Sequence, residues 1–591
     1  MQLKGDSLNT FAIGSKMSVY AQGKQFYREL IPSRGFQSSV DYKQIIGLGD
    51  VVAVDSLVII WPDLTSTTFN RPPVDSVYTI NKKTAIQRKV NKPGLTATGS
   101  VLFHTVKSTF DKHVEDDYQD FYYERNIPAM LSKEGPKVAT GDVNNDQLSD
   151  VFIGGTQGHT GQLYLQTAAG TFAKSVQKSF EQFSDFEDEA VLFFDSDNDG
   201  DLDLFIGAGG NNNPPGSRQM LHRLFKNDGA GNFIIDINSF ENNNDNIGVA
   251  VANDFDKDGD LDLFVGGRSV PREYGTNANS YLYVNDGKGH FKDIAKAQNP
   301  EIAHIGMVTD AAWVNVLGTV DKELVIVGEW MTPRIFSFNG KGFIEETSNL
   351  QNLFGWWQSL SVADVNNDGK QDLIFGNIGE NFYLHPNKEN PVKLWIADVD
   401  GNGDVDKILT RSIEGKDRTV FLKNDIQEQV PSIKKANLKH HDYALKTVQE
   451  LFPSQILNKA IVKQFNYSSS CVAINNGNGK FTVQKLPYRA QLSSVNAILS
   501  IDFNNDGFSD LVTGGNKSGF LPQLEKLDAS YGDVFMNDGK GNFTWLSSQQ
   551  SGIKVTGEVK DIKLMKSKVN QWLIFSRNNE VPVLYKRNFK K

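Results

Sequence analysis

"FDSDNDGDLDLFIGAGG", residues 194–210, sets an aspartate at every second position from Asp195 to Asp203 and then turns apolar. Carboxylates crowded this way repel one another and raise one another's pKa unless a cation sits among them. Alternate residues of an extended loop aim their oxygens at one point, and the apolar run that follows has the length of a strand. The stretch reads as a metal-tied turn that launches a β-strand.

Five more copies follow the pattern D-x-[DN]-x-[DN]-x-x-x-D and then an apolar run: "GDVNNDQLSDVFIGG" (141–155), "NDFDKDGDLDLFVGG" (253–267), "ADVNNDGKQDLIFGN" (363–377), "ADVDGNGDVDKILT" (397–410) and "IDFNNDGFSDLVTGG" (501–515). Several are trailed by a strand, an Asn/Asp-Gly turn and a second strand, as in "LFKNDGAGNF" (224–233), "YLYVNDGKGHF" (281–291), "VAINNGNGKF" (472–481) and "VFMNDGKGNF" (534–543), the signature of a hairpin with a φ > 0 turn. Two worn copies, at 313–329 and 559–575, keep the strands and lose the acidic ladder. Short strands repeating about every 50–60 residues predict an all-β fold, a β-propeller of seven blades, with eight as the alternative count. Between Asp398 and Asp502 the spacing of Leu438, Leu445, Val448 and Leu451 predicts a helical insertion at about 424–465.

The candidate metal ligands are the loop residues themselves. Position 1 is Asp142, Asp195, Asp254, Asp364, Asp398 or Asp502; position 3 is Asn144, Asp197, Asp256, Asn366, Asp400 or Asn504. Position 5 is Asp146, Asp199, Asp258, Asp368, Asn402 or Asp506; position 9 is Asp150, Asp203, Asp262, Asp372, Asp406 or Asp510. Asp201, Asp260 and Asp404 stand at position 7, where the ligand would be the backbone carbonyl. An oxygen-only donor set on a flexible loop suits Ca²⁺. An EF-hand is rejected, because its position-12 glutamate is replaced by Ile206 and Val265 inside apolar runs. Filling all six loops would move the formal charge from −10 to +2. The loops at Asp195 and Asp254, each with four carboxylates, are expected to bind most strongly, with the ions acting as structural rivets.

The chain has 591 residues, too many for one ordinary domain. Its acidity argues against nucleic acid as a partner. Cys471 is the single cysteine, so no internal disulfide exists and the thiol reads as part of a half-buried strand. No apolar run approaches a membrane span, and the first residues lack a secretory h-region. No H-E-x-x-H, G-x-S-x-G or phosphate-binding loop is present. His159 in a glycine-rich loop and the adjacent Trp356 and Trp357 are candidates for a ligand site, and the acidic Glu187–Glu189 run is a candidate acid/base pair. For each the plainer reading is a turn histidine, blade packing and a solvated loop. "NPPGSRQM" (213–220) and "SVPREYGTNANS" (269–280) are candidate face loops.

Residues 1–80 alternate like strands and carry no ladder, a small β domain; 81–126 read as a linker and first strands, with 127–591 as the propeller. "IGSKMSVYAQGKQFYRELIPSRGFQSSVDYKQIIGLGD…VDSLVIIWPD" resembles the ASPIC/UnbV domain. Residues 127–591 resemble the FG-GAP/VCBS calcium-binding, integrin-α-like propeller that accompanies this domain in cartilage acidic protein and its bacterial relatives. The resemblance implies Ca²⁺ in the blade loops, an extracellular or cell-surface location, and a chain that is the C-terminal portion of a longer protein. The function it suggests is a non-catalytic binding or adhesion propeller for a glycan or protein; a propeller glycan lyase or hydrolase is the alternative, and an intracellular scaffold a third reading.

Overall fold

Every apolar run that follows an acidic loop is a strand: Asp150–Ile153, Asp203–Ala208, Asp262–Ser269, Asp372–Gly376, Asp406–Ile413 and Asp510–Gly515. Each begins on the position-9 aspartate, so Ile206 and Val265 lie within strands, as the rejection of an EF-hand requires. The computed structural model describes residues 1–86, 88–89, 101–241, 243–568 and 570–588. The chain separates into two units, Met1–Thr98 and Gly99–Lys591.

The first unit is built on a five-stranded sheet in the order Lys24–Glu29, Lys16–Ala21, Ser56–Ile60, Thr65–Asn70, Arg88–Lys89. Alternation along Lys16–Ala21 and Ser56–Ile60 sends Met17, Val19, Leu57 and Ile59 into a core closed by Trp61, whose Nε1 donates to Thr67 Oγ1 at 2.8 Å. The unit runs past the expected boundary at residue 80, because Arg88–Lys89 adds a strand to Thr65–Asn70. Of the expected linker and first strands at 81–126, residues 87 and 90–100 lie outside the described residues.

The second unit is a β-propeller of four-stranded antiparallel sheets, the fourth of which gains a fifth strand, Gly355–Trp356. Six take their strands in chain order, starting at Val138, Asp188, Asn246, Met307, Ser359 and Val495. The next sheet combines Val559–Lys566, Gln571–Arg577 and Val583–Arg587 with Phe103–Val106 from the beginning of the unit. The first strands of these seven sheets adjoin one another in order, and the seventh adjoins the first, which closes a ring. Residues 81–126 thus contribute a ring strand. The alternation of direction puts the acidic loops and the Asn-Asp-Gly turns on one face. The second-to-third-strand connections emerge on the other.

The longest of those connections interrupts the fifth sheet between Asp372–Gly376 and Cys471–Asn475. It forms a further sheet, ordered Lys416–Thr419, Asp406–Ile413, Val392–Ala397, Ile461–Phe465, and five short helices between Lys423 and Leu457. The fifth acidic loop belongs to this insertion and not to the ring, which explains its close spacing to the fourth. The expected apolar stripe does not form one helix: Pro431 and Pro453 precede new helices, and Leu438 and Leu445 are exposed while Val448 is buried. Cys471 is fully buried rather than half-buried, and burial pushes its thiol up to about 12.

Candidate functional site

The six acidic loops share one geometry. The position-1 carboxylate accepts the amide of position 6, as in Gly200 N to Asp195 Oδ2 at 3.0 Å, Gly369 N to Asp364 Oδ2 at 2.8 Å and Gly507 N to Asp502 Oδ2 at 2.9 Å. Position 4 takes a positive φ throughout: Asn145, Asn198, Lys257, Asn367, Gly401 and Asn505. Asparagine tolerates that region better than most residues, a local signal in the sequence that the aspartate count overshadowed.

The position-9 aspartate is a bracket. Asp262 accepts from Phe255 N at 3.1 Å through Oδ2 and from Asn285 N on the third strand at 3.0 Å through Oδ1. Asp150, Asp203, Asp372 and Asp510 repeat both bonds. Burial raises these carboxyls, Asp150 and Asp510 to about 6 and Asp262 to about 7. The worn fourth sheet keeps the loop half of the bracket with Glu323, which accepts from Val316 N at 2.7 Å.

Carboxylates converge to within 4.8 Å of one another in three loops: Asp195, Asp197 and Asp199; Asp254, Asp256 and Asp262; Asp398, Asp400 and Asp406. Asp195 Oδ1 and Asp197 Oδ1 are buried without a hydrogen-bond partner, the state of oxygens aimed at a cation. In two loops with asparagine at position 3 the amide fills that role, Asn144 donating to Asp146 at 3.2 Å and Asn504 to Asp506 at 2.7 Å. The donor set is all oxygen, and the residues fit a hard divalent cation. At position 7 the side chains point away from the ladder: Asp201 accepts from Asn145 Nδ2 of the preceding loop at 2.9 Å, and Asp260 from Asn198 Nδ2. Lys257 pairs with Asp321 of the next loop at 2.6 Å. The loops are therefore linked side to side, position 4 to position 7, a contact that the repeat pattern alone did not reveal.

The other candidates fare differently. Trp356 and Trp357 are fully buried, so neither offers a stacking face. Trp356 belongs to the strand Gly355–Trp356, which adds to Glu323–Met331, and stacks on Phe465; Trp357 donates to Met331 O at 3.1 Å. His159 is exposed in the turn that bridges Thr156. Glu187, Asp188 and Glu189 do not form a solvated loop: each is buried where the run enters the first strand of the second sheet, Asp188–Phe194.

Glu189 faces the centre of the ring, where Arg268 meets Glu329 at 3.0 Å and Lys517 meets Glu134 at 3.0 Å. All five side chains are largely buried. They line or adjoin a cavity of about 30 Å³, room for about one water molecule. A larger cavity, about 610 Å³, opens on the face opposite the acidic loops. Glu115, Asp116, Lys133, Tyr531, Glu558 and Glu580 are among its lining residues, and burial pushes Glu115 up to about 7.

The family described as ASPIC and UnbV matches residues 5–87, the FG-GAP-like repeat matches 142–206, and the FG-GAP repeat matches 356–391. The chain thus carries an ASPIC/UnbV domain and FG-GAP repeats. No curated protein matches it. Among solved structures, the V. cholerae biofilm matrix protein Bap1 is similar over 83% of this chain and 91% of that chain, with 10% identity and a TM-score of 0.36. The Dos1 propeller is similar over 80% and 98%, with 10% identity and a TM-score of 0.35. YCF48 bound to D1 peptide is similar over 81% and 100%, with 8% identity and a TM-score of 0.35. Among the described residues no helix is long and apolar enough to cross a membrane.

Proposed function

We propose that the chain is a non-catalytic, Ca²⁺-stabilised binding propeller of seven blades, acting outside the cell or on its surface and recognising a glycan or a protein. The convergence of three carboxylates in each of three loops, with two buried oxygens left unpartnered, carries the metal part of this reading. Ca²⁺ at millimolar extracellular concentration is matched to such loops, which have few protein ligands and exposed rims.

The non-catalytic part rests on the ring centre. Acid and base groups do converge there, but a cavity of about 30 Å³ admits no sugar ring. Recognition is assigned to the face opposite the acidic loops, where the long connections and the 610 Å³ cavity lie. One observation favours the lyase or hydrolase reading: Glu115, a carboxyl raised to about 7, lines that larger cavity and has the protonation range of a general acid.

Thermal melting in Ca²⁺ and in EDTA tests the metal, and an unchanged midpoint overturns it. A glycan array followed by product analysis separates the two functions. Binding without turnover supports the first. Turnover that is lost in Glu115→Gln establishes the second.

A further inference from the structure

Loops 195–203 and 254–262 carry the same four carboxylates at positions 1, 3, 5 and 9 but differ at position 2, Ser196 against Phe255, at position 4, Asn198 against Lys257, whose ammonium is turned to Asp321, and in the third-strand side chain packed against the loop. The residue before the third-strand asparagine or glutamine packs beneath the loop. It is Leu165, Val284, Ile474 and Met536 in four sheets and Lys226 in the second. The register is fixed by the bracket, since the following residue in each case donates its amide to the position-9 aspartate.

The Lys226 ammonium lies inside the ladder. Its Nζ is 2.9 Å from Asp197 Oδ2 and 3.2 Å from Asp203 Oδ2, and it donates to Ser196 Oγ. Gly289, in the Asn-Asp-Gly turn of the third sheet, roofs it: a Cβ there would collide with Nζ. Gly231 lies over Leu165 and Gly541 over Ile474 in the same way, with more room: a Cβ would come within 3.6 Å and 3.0 Å of those side chains. The site is thus an apolar packing position into which a cation has been introduced.

We propose that Lys226 is the built-in counter-ion of loop 195–203, and that this loop holds Ca²⁺ more weakly than loop 254–262 despite an equal set of carboxylates. The ammonium engages oxygens at positions 3 and 9 and opposes a second cation a few ångströms away. The loop is then held together at Ca²⁺ concentrations that leave it unfilled. This departs from the expectation that both four-carboxylate loops are among the strongest sites, and it rests on the reading that the loops bind Ca²⁺.

The test is calorimetric titration of the chelator-stripped chain with CaCl₂, for the parent, Lys226→Met and Val284→Lys, paired with anomalous scattering from crystals at limiting Ca²⁺ to identify the filled loops. Methionine is the residue found at the equivalent position 536, so Lys226→Met preserves packing. The expected result is that Lys226→Met strengthens one site by about ten-fold or more, and that loop 195–203 fills after 254–262 only in the parent. Val284→Lys weakens one site correspondingly. Equal filling of the two loops in the parent, or no gain in Lys226→Met, overturns the proposal. If no loop takes Ca²⁺ at saturation, the underlying reading falls, an outcome distinct from equal filling.

Discussion

Asn285 Nδ2 donates to the carbonyl of Ser196 at 2.9 Å and so joins two neighbouring sheets of the ring that share no strand. Asn227 does the same for Val143 at 2.8 Å, Asn475 for Val316 at 2.9 Å and Asn537 for Val365 at 2.8 Å. In each pair the acceptor follows the first residue of an acidic or worn loop, and the donor opens the next sheet's Asn-Asp-Gly or related turn. One asparagine therefore fastens turn to loop within its own sheet and reaches the loop before it.

Replacing Asn285 with alanine should lower stability by about 2–3 kcal/mol, since it leaves the carbonyl of buried Ser196 and that of half-buried Leu261 without this donor. A reduced urea midpoint with an unchanged slope is the expected record. A midpoint equal to the parent's would mean that the inter-sheet bond contributes nothing.

The strands, the turns and the acidic ladders were readable because each is a local pattern, repeated. Asp195 to Asp203 and the run to Ala208 declare a loop and a strand with no reference to the rest of the chain. What was hidden is whatever depends on a neighbour. Trp356 and Trp357 pack inside the ring, the plainer of their two readings, but the edge of Glu323–Met331 that buries Trp356 is not visible in their local sequence. Glu187–Glu189 look solvated because the charges that face Glu189 across the ring come from other sheets. Lys226 looks like an ordinary strand lysine until the alignment of Asn227 and Asp203 places it under the ladder.

Closure of the ring depends on Phe103–Val106, which pairs with Val583–Arg587. Phe103 is fully buried and meets Phe503 edge-on at 5.2 Å. Phe103→Ala should cost about 3–5 kcal/mol. Removal of the whole strand should leave Val583–Arg587 as an open edge and produce concentration-dependent association in light scattering. A monomeric truncated chain with the parent's melting point would contradict this.

Glu189 makes stability depend on pH in a direction unusual for a carboxylate. Burial first, then Glu134 and Glu115, push it up to about 8, against the opposing pull of Lys560 and Lys137. The folded chain keeps this proton after the unfolded chain has released it near 4.5. Its contribution is therefore complete below pH 4.5 and declines as pH rises towards 8, by at most about 1.4 kcal/mol per pH unit. Glu189→Gln should remove that decline, matching the parent's stability at pH 5 and exceeding it at pH 8.5. Parallel stability profiles for the two proteins would refute the assignment.

The acidic loop at Asp398 governs the insertion rather than the ring. Its position-9 residue, Asp406, accepts from the Gln429 side chain at 2.6 Å, where the ring loops use a third-strand amide. Gln429 ends the helix Lys423–Gln429, so this bracket ties the loop to the helical segment. Ile408, Leu409, Ile426 and Val448 pack in one core with Tyr274, Trp330 and Trp356 of the ring. With Asp398, Asp400 and Asp406 held within 4.8 Å, loss of a cation should loosen the insertion first. The double substitution Asp398→Asn with Asp400→Asn should leave the main melting transition nearly unchanged. In limited proteolysis it should speed cleavage several-fold in the exposed stretch around Leu438 and Leu445, where local opening precedes global unfolding. Cleavage at the parent's rate would show that packing on the ring alone holds the insertion. A fall in the main transition would show that this loop also supports the ring.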